Sequence, residues 1–174
     1  MEPRGIRNNN PLNIRHNPAN KWLGLRPEQT DPDFCQFESM IYGVRAALRL
    51  LLNYRKNGYD TARKIITRWA PPTENNTEAY IRSVALFLDV DKVIQVDTDY
   101  IHLAQAMAWI ETGRQLSDSL FWQAWELFEQ REQNQTSLSY AESREGKTEG
   151  QMLWDEAVSA EPVRDHHEPE PDEE

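Results

Sequence analysis

Two carboxylates and a run of side-chain amides are the groups best suited to chemistry in this sequence. Glu111 ends the largely apolar stretch Tyr100-Ile101-His102-Leu103-Ala104-Gln105-Ala106-Met107-Ala108-Trp109-Ile110-Glu111. On a helix, Ala104, Met107 and Ala108 share its side. A carboxyl group at the end of such a stripe is partly desolvated, and a helix C-terminus also disfavours the anion. Both effects raise the affinity for a proton, as a general acid that protonates a glycosidic oxygen requires. The competing assignment is a rim glutamate that closes a packing face. Glu38, just before Ser39 and the first clear helical pattern, is the second candidate acid; it reads equally well as an exposed helix entrance.

The amides lie at the other end of the chain. Residues 4–15 read Arg-Gly-Ile-Arg-Asn-Asn-Asn-Pro-Leu-Asn-Ile-Arg, with four asparagines around one proline. Asparagine side chains compete for backbone hydrogen bonds and Pro11 restricts Asn10, so an ordered loop is expected here, plugged into the core by Ile6 and Ile14. The amides of Asn8, Asn9 and Asn13, each able to donate and accept, are candidates to face a ligand, and the cations Arg7 and Arg15 belong to the same basic stretch. A network that merely holds the loop together accounts for the same amides. Tyr80 is a further candidate cleft residue, although its spacing also suits an ordinary core tyrosine.

The elements that must position these groups are mostly helical. Apolar spacing predicts a helix from about Ser39 to Asn57, with Ser39 as cap and Gly43 as a close-packing point. A shorter helix starts at Asp60 or Thr61 and ends at Pro71-Pro72. Thr77 caps a helix through Leu88; Val93 and Ile94 sit in a turn or short helix. Two further helices are expected, from about Thr98 to Thr112, closed by Gly113, and from Ser117 to about Gln130. Prolines 18, 27 and 32 break up residues 16–38, where Trp22–Leu25 and Phe34–Phe37 suggest short extended pieces in a hairpin-like lobe.

Composition divides the chain. From Arg131 to Glu174 there are 13 acidic and four basic residues, whereas residues 1–68 carry 12 basic and six acidic ones. The formal charge of -10 is therefore a property of the tail, and the basic first part is suited to an anionic partner such as peptidoglycan. Two regions are expected: a helical domain over residues 1–130 and an acidic, mostly disordered tail over 131–174, where Met152-Leu153-Trp154 forms an apolar island. The single cysteine, Cys35, allows no intrachain disulfide. No leader, membrane-spanning run or nucleic-acid reader motif is expected. Without a glycine-rich phosphate loop, an HExxH zinc motif or paired cysteines, no cofactor is expected, and His166-His167 in an acidic tail is a weak metal pattern.

Arg4 to Arg15, with Lys21-Trp22-Leu23-Gly24-Leu25, Phe34 and Phe37, Gly43-Val44-Arg45-Ala46, Arg68-Trp69-Ala70-Pro71-Pro72, Asn75-Asn76-Thr77 and Tyr80-Ile81, resembles a family of small phage and prophage proteins. Members are described as virion or structural proteins and are related to lysozyme-like peptidoglycan hydrolases. The resemblance covers about residues 4–115 and implies a mainly α, lysozyme-like single domain. Glu111-Thr112-Gly113 is similar to the end of the general-acid helix in those hydrolases. There that helix precedes the asparagine-rich segment, so the resemblance implies a circular permutation that brings Glu111 beside the N-terminal loop across a cleft. It further implies a peptidoglycan-cleaving glycosidase, of muramidase or lytic transglycosylase type, acting at the cell wall. The alternative is a non-catalytic virion structural or glycan-binding protein, with other virion proteins as partners. Leu12 stands where the family usually has glycine, an obstruction if that position needs a positive backbone angle or close ligand approach.

Overall fold

The computed structural model describes residues 2–145. Its elements are α1 (Arg4–Arg7), α2 (Met40–Lys56), α3 (Ala62–Trp69), α4 (Thr77–Val84), α5 (Asp97–Thr112) and α6 (Asp118–Glu145). The architecture is mainly α, and the described residues contain three isolated antiparallel bridges but no sheet. Helices α2, α5 and α6 pack on one another and α3 and α4 close the core from the other side. Val44, Leu48, Leu51, Ile65, Ile66, Ile81, Ile101, Leu103, Met107 and Phe121 fill that core. On α2 these side chains fall on one stripe, the helical spacing read from the sequence, whereas α5 buries Ile101 and Leu103 on opposite faces and is enclosed on several sides.

The N-terminal region is more ordered than a plain loop. Arg4–Arg7 forms one helical turn, and Asn9 and Asn13 then take left-handed backbone angles, φ 52° and 51°. Asparagine tolerates that region better than most residues, which is one physical reason for its abundance here. Leu12 needs no such angle and is fully buried, as is Ile14 nearly so, while Ile6 is only half-buried. The Leu12 side chain therefore adds to the core.

Residues 33–38 run between two neighbours. On one side Cys35 N–H donates to Ile14 O and Phe37 N–H to Asn8 O, both at 2.9 Å; on the other, Glu38 N–H donates to Gly24 O at 2.8 Å and Arg26 N–H to Gln36 O at 2.9 Å. The expected pairing of Trp22–Leu25 with Phe34–Phe37 is thus reduced to one bridge, Leu25 with Phe37, while Phe34 pairs with Arg15.

Ser39 holds the N-cap position of α2, as expected, although its side chain makes no cap bond. Two helix boundaries differ from expectation. The fourth helix is capped by Asn76, which accepts from Ala79 N–H, and stops at Val84; Thr77 instead donates its hydroxyl to Ala70 O. Helix α6 continues beyond Gln130 to Glu145, and Glu132, past that expected end, pairs with Arg49 of α2. Apolar spacing fades after Phe128, so the extension leaves no stripe to read in the sequence. Residues 146–174, including the apolar island and His166-His167, lie outside the described residues.

Candidate functional site

Glu111 lies in the last turn of α5, half-buried, with Ala104, Met107 and Ala108 of its own face fully buried beneath it. Gly113 ends the helix in the left-handed conformation, φ 62°, and its N–H closes on Trp109 O. Thr112 turns inward: its hydroxyl donates to Ala108 O at 2.6 Å and accepts from Arg114 N–H at 3.1 Å. The sharp exit leaves the Glu111 carboxylate facing out of the helix end, towards two donors. Asn13 Nδ2 donates to Oε2 at 2.9 Å, and the Tyr80 hydroxyl donates to Oε1 at 3.2 Å. An acid from α5, an amide from the N-terminal segment and a phenol from α4 thus converge, although 98 residues separate the first two in sequence.

Burial and the adjoining Glu111 carboxylate push the Tyr80 hydroxyl well above the ordinary tyrosine range. Tyr80 therefore keeps its proton and can hold a hydrogen bond to Glu111 at any moderate pH. The Asn13 Oδ1 is buried with no hydrogen-bond partner. It lies against Gly5, where an added Cβ would come within 3.1 Å of it, 2.9 Å of Asn10 O and 3.2 Å of Thr112 Cγ2. Gly5 is thus the contact through which α1, the amide loop and the end of α5 meet.

The remaining asparagines are used within the fold. Asn8 donates to Asp31 and accepts from Gln36 Nε2, and Asn9 donates to Phe37 O at 3.0 Å. Asn10, fully buried, donates to Ile14 O and Cys35 O at 2.9 Å and accepts from Ile14 N–H at 2.8 Å. Of the amides expected to meet a ligand, Asn13 alone reaches the acid; Asn8 and Asn9 hold the segment's shape. Arg7 and Arg15 are exposed, the latter 4.0 Å from Glu74. Glu38 is also exposed and is not among the partners of the Glu111 cluster.

Asp31, Gln36 and Asn10 are the organising residues that sequence reasoning missed. The Asp31 carboxylate accepts from Arg4 Nε at 2.7 Å and Nη2 at 2.5 Å, from Asn8 Nδ2 at 2.7 Å, and from the N–H groups of Asp33 and Phe34 at 3.0 Å. The Arg4 guanidinium and these donors hold the carboxyl well below the usual carboxylate range. Asp31-Pro32 is a turn-forming dipeptide, which fits the bonds from Asp33 and Phe34 N–H to Asp31; the arginine partner is too distant in sequence to infer. Among the described residues no group of three or more histidines, cysteines and carboxylates could hold a metal ion, and no helix is long and apolar enough to cross a membrane.

No protein-family model matches the chain. It is similar to Protein P5 of Pseudoalteromonas phage PM2, with 39% identity over 114 residues that cover 63% of this chain and 71% of that protein. Identity at that level over most of the relative's length is far above chance and carries a common fold. The chain belongs to the phage protein family that includes Protein P5 of Pseudoalteromonas phage PM2.

Proposed function

We propose that this phage-family protein is a peptidoglycan-cleaving glycosidase in which Glu111 is the general acid. The observation that carries the reading is the convergence of Asn13 Nδ2 and the Tyr80 hydroxyl on the two oxygens of Glu111. Such a pair fixes the carboxyl rotamer, which is what directed proton transfer needs. In the reaction, Glu111 gives its proton to the glycosidic oxygen as the bond to the anomeric carbon breaks. Water, or a hydroxyl of the same sugar, then attacks that carbon and returns a proton to the carboxylate. Asn13 and Tyr80 support the carboxylate formed midway. Arg7 and Arg15, both exposed on the basic N-terminal part, are suited to the anionic polymer.

The second reading is a virion protein that binds glycan or serves structure alone. It is favoured by the use of Asn8, Asn9 and Asn10 within the fold, and by the ability of Glu111 to act simply as a tie between three elements. A peptidoglycan zymogram of wild type, Glu111→Gln and Glu38→Gln separates the two. Loss of roughly 10²-fold or more in Glu111→Gln alone, with both variants folded, is the expected result for a general acid. Equal activity in all three overturns the acid assignment, and an inactive wild type that still sediments with peptidoglycan selects the second reading.

A further inference from the structure

A concavity lies on the side of α5 turned away from Glu111. His102, Gln105, Ala106 and Trp109 recur at helical spacing on one face of that helix, whereas Glu111 stands on the face of Ala104, Met107 and Ala108. With Phe87, Gln115 and Phe121 the first face encloses a cavity of about 320 Å³. Ala106 and Phe121, each 1% exposed, form its floor. Its rim carries the rings of Phe87 and Trp109, with centres 5.5 Å apart and planes inclined at 58°. Both rings are exposed, by 53% and 42%, so their apolar area beside the cavity stays available to a ligand.

The polar groups beside these rings favour a neutral ligand. Asp118, the one carboxylate among the described lining residues, already accepts from Gln105 Nε2 at 3.1 Å, and no lysine or arginine lines the cavity. A charged ligand would leave water without a counter-ion here. Gln105 keeps its Oε1 as an acceptor, while the Gln115 amide and the His102 ring make no hydrogen bond within the described fold. Amides that donate and accept match hydroxyl and acetamido groups, and the negative face of an aromatic ring attracts the polarised C–H groups of a sugar. The volume suits such a ligand, at the small end of the range for small-molecule pockets. A docked helix, about 10 Å across, would fill it with less than one turn. We propose that this cavity is a second, non-catalytic site for a neutral saccharide of the N-acetylhexosamine class. One sugar ring lies on Trp109 against Phe87, and its polar groups bond to Gln105 and Gln115. The identity of the saccharide rests on the peptidoglycan reading above. A glycan held here stays tethered while another stretch of the same polymer reaches Glu111, which raises the local concentration of cleavable bonds.

The test is an NMR titration of the isotope-labelled full chain with chitotetraose, a neutral N-acetylglucosamine oligomer. The Trp109 indole N–H is the reporter, identified by its absence in Trp109→Ala. It is expected to shift on titration in wild type, and equally in Glu111→Gln, because the acid stands on the opposite face of α5. Phe87→Ala and Gln115→Ala are expected to weaken that binding by about five- to tenfold. Both side chains are exposed, so the fold is retained. An indole that does not move in wild type overturns the proposal, even where the zymogram shows cleavage. A moving indole in a protein that cleaves nothing upholds the site and removes only the glycosidase. Equal affinity in wild type, Phe87→Ala and Gln115→Ala also overturns the proposal. So does an indole shift that follows protein concentration without sugar, which assigns the cavity to a second copy of the chain.

Discussion

Asn13 is the residue at which fold and proposed chemistry are hardest to separate, because its backbone and its amide do different things. The backbone sits at φ 51° and the amide donates to Glu111. Glycine at this position keeps the angle and loses the amide; alanine loses both. Asn13→Ala is therefore expected to be less stable than Asn13→Gly by about 1–2 kcal/mol, the cost of a left-handed angle with a Cβ. Both are expected to lose activity alike if the amide positions Glu111. A denaturant series on the two variants, paired with peptidoglycan turnover, checks this; activity that tracks stability instead would assign Asn13 to the fold alone. Tyr80→Phe removes only the hydroxyl that meets Oε1. One hydrogen bond to a charged group is worth about 1.5–3 kcal/mol. If the bond is strengthened in the transition state, kcat falls by roughly tenfold or more with KM little changed. Unchanged kcat would mean that Asn13 alone orients the acid.

At the scale of elements, the site depends on how closely the amide segment lies on the helices. Gly43 of α2 is the tightest point: an added Cβ would come 1.9 Å from Asn9 O. The obstruction is backbone, which has no rotamer to yield. Gly43→Ala is therefore expected to cost more than the 1–3 kcal/mol of ordinary overpacking, at about 3 kcal/mol or above, seen as a large drop in thermal midpoint and displaced resonances around Asn9. The close packing at Gly43 was legible in the sequence, because a glycine inside an otherwise apolar helical pattern must repay its propensity cost somewhere. Its partner was not legible. That residues 4–15 are ordered was legible too, but the partners that order them were not, since the bonds reach Asp31, Cys35 and Gln36, and such pairings follow no local spacing. Asp31→Ala tests that network from its centre. Leaving Arg4 and Asn8 without their acceptor is expected to cost about 2–3 kcal/mol. The sign with pH follows from the lowered carboxyl: its contribution is present above the unfolded value near 4 and is lost as pH falls towards the folded one. Wild type and Asp31→Ala should therefore converge in stability on acidification, and a constant gap down to pH 2 would contradict the ion pair.

Across the whole molecule, titration of the core predicts where the fold gives way in alkali. Tyr54 is 4% exposed between α2 and α3, with the rings of Tyr59 and Trp69 at 5.8 and 6.3 Å and the Arg68 guanidinium at 5.9 Å. Burial pushes its hydroxyl up to about 12, against the opposing pull of Arg68. The unfolded chain releases this proton near pH 10, whereas the folded one retains it to about 12. Between those values the folded state holds more protons, so stability is intact below pH 10 and falls above it, by up to about 1.4 kcal/mol per pH unit for this group. Tyr80 shifts in the same direction and adds to the slope. Arg45 acts with the opposite sign, since burial lowers it to about 10 and loss of its proton in the folded state would offset part of the decline. Comparing wild type with Tyr54→Phe isolates the tyrosine, because Arg45 and Tyr80 are common to both. Urea unfolding at pH 9, 10.5 and 11.5 should show wild type declining more steeply than Tyr54→Phe. Parallel declines would mean that the Tyr54 hydroxyl titrates as freely in the fold as in the open chain.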